Sequence, residues 1–364
     1  MKILLISGTY PPDKCGVGDY ASKLYDSLLN TNSCHDIYLL SSNRLLKNGE
    51  HIPLKSLSWN FFGIRQIINI IKCINPNVIN FQFPTISYRF SISVLYLTMR
   101  LKKLGFRTVT TLHEYSYSPK LAQIRTRFIV RSSYRVIVVD EQYKSDILDL
   151  KLLKRQDVLF IPIGSNIEPS KLNIEGIQSL RGRYISDDGM LIGYFGFIFP
   201  AKGVESLVKL GEILKKQKRN FKIIVAAELN EKNAYHRSIL KMITVSKLEK
   251  ELILTGYLPS NEIADLLKSM DVVIFPFTKG FSTKNGSVLA ALSQGINVIS
   301  TKSERFQNSP YEQLHLIDHY SSIEQIVDII DHQLKYNVTQ QVVTWEEIGD
   351  KTINFLINSA ENEL

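Results

Sequence analysis

Four short stretches carry turns and side chains suited to holding a phosphorylated ligand. The first, SGTYPPDKCGVGDY, places Gly16 and Gly18 on either side of Val17, just before a helix expected to start near Asp19 or Tyr20. Glycines there let backbone N–H groups approach a ligand closely, although a lone GxG also describes an ordinary flexible turn. The second, TLHEYSYSP, puts His113 and Glu114 at the C-terminal edge of a strand. An imidazole in that position can orient a sugar hydroxyl or stabilise developing charge, or serve structure alone. Its neighbours Tyr115 and Tyr117 either form an apolar wall for a sugar or simply pack. The third, YFGFIFPAKGVESLV, carries Lys202 in a turn with Pro200, between a strand ending at Gly196 and a helix following Gly203. Its ammonium can balance a diphosphate as a compact point charge, or remain solvated as most lysines are. The fourth, FPFTKGFSTKNGSVLAALSQGINVIST from Phe275 to Thr301, runs from a strand through a polar loop with Gly280 and Gly286 into a helix starting near Ser287. Asn285 or Ser287 can cap that helix, and Gly295 stands where a left-handed C-terminal cap is wanted. The N–H groups at such a start, together with the helix dipole, form an anion site at the C-terminal ends of parallel strands.

These loops need a scaffold of strands and helices. The short apolar runs KILLIS, DIYLLS, NVINFQF, RTVTTLH, RVIVVD and VLFIPIG read as strands, unbroken enough to be buried on both faces of a parallel sheet. Helical patterns lie between them, over residues 20–29, 62–74, 92–104 and 121–133. A second series, MLIGYFG, FKIIVAA, LILTGY, DVVIFPF and INVIST, begins near residue 189. Two successive βαβ series predict two doubly wound domains. The polar stretch from Ser165 to Gly189 is the expected link, and residues 344–364, with Trp345 near their start, read as one amphipathic helix. Facing Rossmann-like domains would create a deep cleft lined by strand ends, and the ligand belongs there.

Length and composition agree. A chain of 364 residues exceeds what one core usually supports. The net charge of +9 suits a polyanionic partner: nucleotide phosphates, an anionic membrane surface or nucleic acid. Cys15, Cys34 and Cys73 are three, with no CxxC pair, so neither a disulfide framework nor a zinc site is expected, and a reducing cytoplasm fits. MKILLIS is too short an apolar run for a signal peptide, and no window approaches a transmembrane span of about 18 apolar residues. The expected location is cytoplasmic, with any membrane contact peripheral at the inner face of the cell membrane. In IRTRFIVRSSYRV, Arg127, Arg131 and Arg135 share one face if the segment is helical. With Arg100, Lys102, Lys103 and Arg107 they give the first domain a positive flank, either a solvated face or one drawn to anionic lipid.

Taken together, the chain resembles the family-4 glycosyltransferases, retaining enzymes of the GT-B fold. The matching features are YPPDKCGVGDYA, NVINFQFP, GFRTVTTLHE, IPIGSNI, FPAKGVESL, LTGYLPSNEIADLLKSMDVVIFPF and TWEEIGDKTINFL, which run through nearly the whole chain. The resemblance implies an acceptor-side domain over 1–165, a nucleotide-sugar domain over 166–345, and a C-terminal helix over 346–364 that packs back on the first. It implies that Gly16, Val17 and Gly18 lie beside the donor phosphates and that His113 faces the transferred sugar. Lys202 would bind the diphosphate, with Lys284, Asn285, Gly286 and Ser287 against the same phosphates. His113 and Lys202 are thus the expected catalytic pair, with no metal and no cofactor beyond the nucleotide-diphosphate sugar itself.

Three positions depart from the family pattern. Its two glutamates, eight positions apart, are replaced by Ser282 and Ala290, and its arginine five residues before the lysine by Phe197. A branch with an altered donor site, using Lys279, Lys284, Asn285 and Ser287, competes with a non-catalytic partner of another transferase. Losing one or two hydrogen bonds costs about 1–3 kcal/mol each, which weakens binding without excluding catalysis, so the active branch is preferred. The expected activity is transfer of a hexose-type sugar to a lipid-linked glycan in bacterial surface polysaccharide or O-antigen assembly. A nucleotide-sugar epimerase of the same fold is the alternative within enzymes. Nucleic-acid binding explains the charge but not the loops.

Overall fold

The computed structural model describes residues 1–13, 15–31, 34–88, 91–116, 118–334 and 342–361. They divide into two compact units, Met1–Gly164 with Val343–Leu364, and Ser165–Val342. The first unit contains β1 (Lys2–Ile6), α1 (Gly16–Asn30), β2 (Asp36–Leu40), β3 (Leu45–Lys47), β4 (Glu50–Ile52), α2 (Phe61–Ile74) and β5 (Val78–Phe83). It continues through α3 (Ser93–Lys103), β6 (Thr108–Leu112), α4 (Lys120–Ser132), β7 (Arg135–Val138), α5 (Glu141–Asp149) and β8 (Val158–Phe160). The second unit contains α6 (Ile174–Gly182), β9 (Met190–Phe195), α7 (Glu205–Lys216), β10 (Phe221–Ala226), α8 (Ala234–Val245), β11 (Leu252–Leu254) and α9 (Ser260–Lys268). Then follow β12 (Val272–Phe275), α10 (Gly286–Ser293), β13 (Asn297–Thr301), β14 (Leu314–Ile317) and α11 (Ile323–His332), after which α12 (Trp345–Glu361) returns to the first unit.

The first sheet has the order β4-β3-β2-β1-β5-β6-β7-β8, parallel except where β3 meets β2 and β4. The second has the order β11-β10-β9-β12-β13-β14, and its pairings are parallel. Strand order therefore reverses between β1 and β5 in one unit and between β9 and β12 in the other. At such a switch point the connections leave in opposite directions and open a crevice at the C-terminal strand ends. Both units are thus Rossmann-like α/β domains, the fold expected. Strands β5, β6, β7, β12 and β13 are buried at every residue, so neither face of these strands is left to solvent.

Several local expectations change. Helix α1 begins at Gly16, not near Asp19 or Tyr20, so Gly16, Val17 and Gly18 form its first turn rather than a loop before it. The hairpin β3–β4 and the edge strand β14 lack a strong apolar run and were not anticipated. The stretch from Ser165 to Gly189 is no bare linker: it holds α6, whose Arg181 donates to Asp271 at 2.8 Å. Helix α4 stops at Ser132, so Arg135 does not share its face. Arg135 opens β7, is buried, and lies 3.4 Å from the Asp157 carboxylate. Arg107 likewise leaves the positive flank, because its guanidinium donates to the carbonyls of Ser359 and Ala360 at the end of α12. Helix α12 lies along α1, where the Ser27 hydroxyl donates to the Trp345 carbonyl at 2.5 Å. Tyr117 lies outside the described residues.

Candidate functional site

In the first unit the site residues gather where β1, β5 and β6 end beneath the start of α1. His113 follows β6 directly. Its backbone N–H donates to the Phe83 carbonyl at 2.8 Å, and its side chain is buried, 7% exposed. The imidazole Nε2 is 2.8 Å from Gln82 Oε1, while Gln82 Nε2 donates to Asn80 Oδ1 at 2.5 Å. Asn80 in turn donates from Nδ2 to Thr111 Oγ1 at 2.9 Å and to the Val109 carbonyl at 3.2 Å. A carbonyl only accepts, so the Asn80 amide group must face Val109, which makes Asn80 Oδ1 an acceptor for Gln82. Gln82 Oε1 is then the acceptor at His113, and Nε2 carries the proton.

This polar column was missed in the sequence, yet NVINFQF contains its signal. Asn80 and Gln82 are two apart in a strand that is otherwise apolar, so they share one face, and burial there requires partners. On the same side, the Tyr20 ring meets His113 edge-on at 4.7 Å. Its hydroxyl and the Thr9 hydroxyl are buried without a hydrogen-bond partner among the described residues, and burial pushes the Tyr20 phenol well above its ordinary range. A side chain at Gly18 would meet Thr9 Oγ1 at 3.1 Å, whereas one at Gly16 would meet nothing within 4 Å. The first turn of α1 is therefore packed at Gly18 and open at Gly16. Half-burial also raises the pKa of Asp19 in that turn. Glu114 is exposed, and Tyr115 is buried against Tyr143, so Tyr115 packs rather than forming a wall.

The second unit brings Lys202 and the α10 start to the ends of β9 and β12. Lys202 ends a short 3-10 turn, Pro200–Lys202, followed by Gly203 at φ +63°. A Cβ there would stand 2.1 Å from the Pro276 carbonyl oxygen, so only glycine allows this turn to sit against the chain leaving β12. The Ala201 carbonyl accepts from Thr278 N at 3.1 Å in the same contact. The Lys202 ammonium lies over the Phe277 ring, 4.3 Å from its centroid, with no carboxylate partner among the described residues. Burial holds its pKa below the ordinary lysine range, since an ammonium loses hydration there.

The loop before α10 is closed by Asn285. Its N–H donates to the Ser282 carbonyl at 2.9 Å, and its Oδ1 accepts from Ser282 N at 2.6 Å. Asn285 occupies the N-cap position, but its side chain is spent on Ser282 and makes no capping bond. Ser287 does not cap either; it sits near Gly196, whose added Cβ would lie 3.9 Å from the Ser287 Cβ. Among the described residues, the first amides of α10 thus point out of the helix with no capping side chain to accept them, as an anion site requires. Gly286 has open space where a side chain would stand. At the other end Gly295, at φ +73°, closes a Schellman motif: its N–H donates to Leu292 O at 2.9 Å, and Ile296 N to Ala291 O at 3.4 Å.

Lys284 and Ser282 are half-buried in this loop, and Lys279 is exposed. Ala290 is fully buried in the apolar core of the unit, and Phe197 is 68% exposed. The helix that would carry the family's second glutamate thus turns that position inward.

Residues 180–344 match the family model described as "Glycosyl transferases group 1", a span that lies almost wholly within the second unit. The chain is 19% identical over 345 residues to the uncharacterized glycosyltransferase YqgM of Bacillus subtilis strain 168, covering 92% of this chain and 88% of that one. Its fold is similar to Anabaena HepE in complex with UDP, at TM-score 0.68 and 15% identity, covering 99% and 98% of the two chains. It is equally similar to the UDP-GlcNAc 2-epimerase of Methanocaldococcus jannaschii, at TM-score 0.68 and 14% identity, covering 98% and 100%. Among the described residues no helix is long and apolar enough to cross a membrane.

Proposed function

We propose that the protein is a retaining glycosyltransferase that moves a hexose-type sugar from a nucleotide-diphosphate donor to a lipid-linked glycan. The observation that carries this reading is the meeting, at the C-terminal ends of β9 and β12, of an uncapped helix start with a half-buried lysine that has no carboxylate partner among the described residues. In the reaction the bond from the anomeric carbon to the diphosphate oxygen breaks. A bond to an acceptor hydroxyl oxygen forms, and the hydroxyl proton passes to the departing diphosphate oxygen. Negative charge grows on the diphosphate as it leaves, and we assign its stabilisation to Lys202 and the amides of Gly286 and Ser287. Lys284 and the first turn of α1, Gly16 to Gly18, are assigned to the same donor. His113, with its tautomer fixed through Gln82, is assigned to the transferred sugar. In this reading the charge is met by the chain's own groups, so chelators leave turnover unchanged. Bacterial surface polysaccharide or O-antigen assembly, from the cytoplasmic side, is the setting that the family resemblance supports.

The match over residues 180–344 favours transfer over epimerisation, for which only the fold speaks. Thermal shift with UDP-, GDP- and dTDP-sugars tests donor binding, because a ligand bound only by the native state raises its melting temperature. Donor hydrolysis, or transfer to a lipid-linked glycan, is the expected result. Conversion of the donor to an epimer without transfer would make the protein an epimerase. Absence of both binding and turnover, with copurification of an active transferase, would make it a non-catalytic partner.

A further inference from the structure

The positive charge of the chain is confined to one stretch. Residues 51–139 hold 13 Lys and Arg against a single acidic residue, Glu114, while the rest of the chain is slightly acidic. In the structure this stretch builds α2, α3 and α4, which stand side by side over one face of the first sheet. None of the three helices contains an aspartate or glutamate.

Each helix already buries an apolar face, through Ile64 and Ile71, Val94 and Leu97, and Ile129 and Val130. That face accounts for folding. The opposite faces are apolar as well, which folding does not require. On α3 and the residue before it, Ile92, Tyr96 and Met99 follow at helical spacing and are 69%, 44% and 47% exposed. On α4, Leu121, Ile124 and Phe128 do the same at 75%, 46% and 51%. Helix α2 opens with Phe62 at 79%, and the adjacent Phe61 ring lies 6.1 Å from that of Tyr96. The Lys102 ammonium donates to the Arg131 carbonyl at 2.7 Å, joining α3 to α4. Exposed Arg65, Arg100, Lys103, Lys120 and Arg131 stand among these side chains and form no ion pair among the described residues.

An exposed patch of this kind marks an interaction surface, and its charge selects the partner. A second copy of the same face would oppose cation to cation. A nucleic acid would engage the cations but leave the aliphatic stripes in water. An anionic bilayer satisfies both, because the aromatic and aliphatic tips enter the headgroup boundary while Lys and Arg reach lipid phosphates. We infer that the outer face of α2, α3 and α4 docks the protein on an anionic lipid surface. The inference concerns a face apart from the donor site and stands independently of the proposed reaction.

Sedimentation of the full chain with vesicles tests it. Phosphatidylglycerol–phosphatidylcholine vesicles should bind at least about tenfold more protein than phosphatidylcholine alone. Leu121→Ser with Phe128→Ser should remove that binding while leaving the melting temperature and the nucleotide-sugar thermal shift in place. Arg100→Gln with Lys103→Gln and Arg131→Gln should abolish the preference for phosphatidylglycerol. Absence of vesicle binding, or binding indifferent to both sets of substitutions, would overturn the inference. So would a dimer that the serine variant dissociates, or DNA binding that it leaves intact with vesicle binding absent. A wild-type protein that binds vesicles but no nucleotide-sugar would strike the proposed reaction and leave this surface standing.

Discussion

The ammonium of Lys202 lies 4.3 Å from the centroid of the Phe277 ring, held over an aromatic face instead of beside a carboxylate. A cation–π contact of this kind contributes about 0.5–2 kcal/mol, less than a buried ammonium loses in hydration, and burial accordingly lowers the Lys202 pKa. A depressed lysine pKa means that the unfolded chain binds more protons than the folded one between the two values. Stability therefore rises as pH increases through that interval, and below it the charged form is a standing cost. Lys202→Met should melt at the same temperature as the wild type or higher at neutral pH, and lose the wild-type gain toward alkaline pH. It should also transfer sugar about a hundredfold more slowly or worse. Melting curves across pH, with transfer assays at neutral pH, check both halves. Wild-type turnover in the variant would remove Lys202 from the site.

The position of that ammonium depends on Gly203. Its φ of +63° is tolerated by other residues at modest cost, but a Cβ would stand 2.1 Å from the Pro276 carbonyl oxygen. That overlap is with backbone and cannot be relieved by a rotamer change. Gly203→Ala should cost about 3 kcal/mol or more and, by moving the turn, reduce donor affinity beyond the loss of stability. Chemical denaturation and nucleotide-sugar titration separate the two effects. A stable variant with unchanged affinity would show that the turn is not fixed by this contact.

Much of this arrangement was legible in the sequence because parallel strands buried on both faces are near-continuous apolar runs, as VVIF is. The αL glycine at 295 was legible for the same kind of reason, since a required backbone conformation leaves a residue type behind, whereas the αL state of Gly203 emerged only with its contact to Pro276. What stayed hidden depended on neighbours distant in the chain. Arg135 looked like part of a helical basic stripe until Ser132 ended α4 and Asp157 claimed its guanidinium. Asn285 looked like a cap, yet the amide of Ser282 takes its oxygen, and no spacing rule chooses between two donors within reach. Ala290 reads in the sequence as a missing carboxylate. In the core it is a fully buried methyl group among Val288, Ala291 and Leu292.

Asn285 and Ser282 hold each other through two hydrogen bonds, at 2.9 and 2.6 Å, so the loop before α10 is closed without using the helix amides. Asn285→Ala removes one of them. It should cost about 1 kcal/mol of stability and weaken nucleotide-sugar affinity about fivefold, because a mobile loop pays to order itself on binding. Asn285→Asp keeps an acceptor for Ser282 N but places a negative charge at the helix start, where it competes with phosphate. It should retain stability and lose more affinity than the alanine variant. Calorimetric titration of both variants checks the order, and equal affinities would argue against phosphate at this helix end.

The relay from Val109 O through Asn80 and Gln82 fixes His113 with its proton on Nε2. Gln82→Leu fills much the same volume but supplies neither the donor to Asn80 Oδ1 nor the acceptor for His113. Two buried polar atoms lose their partner, at about 1–3 kcal/mol each. The expected outcome is a folded but less stable protein whose transfer rate falls about tenfold or more while donor KM changes little, since the imidazole is present but no longer held in one tautomer. Gln82→Glu preserves the acceptor at His113 and forces Asn80 to turn its amide. As His113 gains an anionic partner, its folded-state pKa should rise, so the added stability is present below the ordinary histidine range and lost as pH rises through the new value. NMR titration of the His113 ring in Gln82→Glu against wild type measures that displacement directly. An unmoved titration, with full activity in Gln82→Leu, would mean that the column beneath His113 serves the sheet alone.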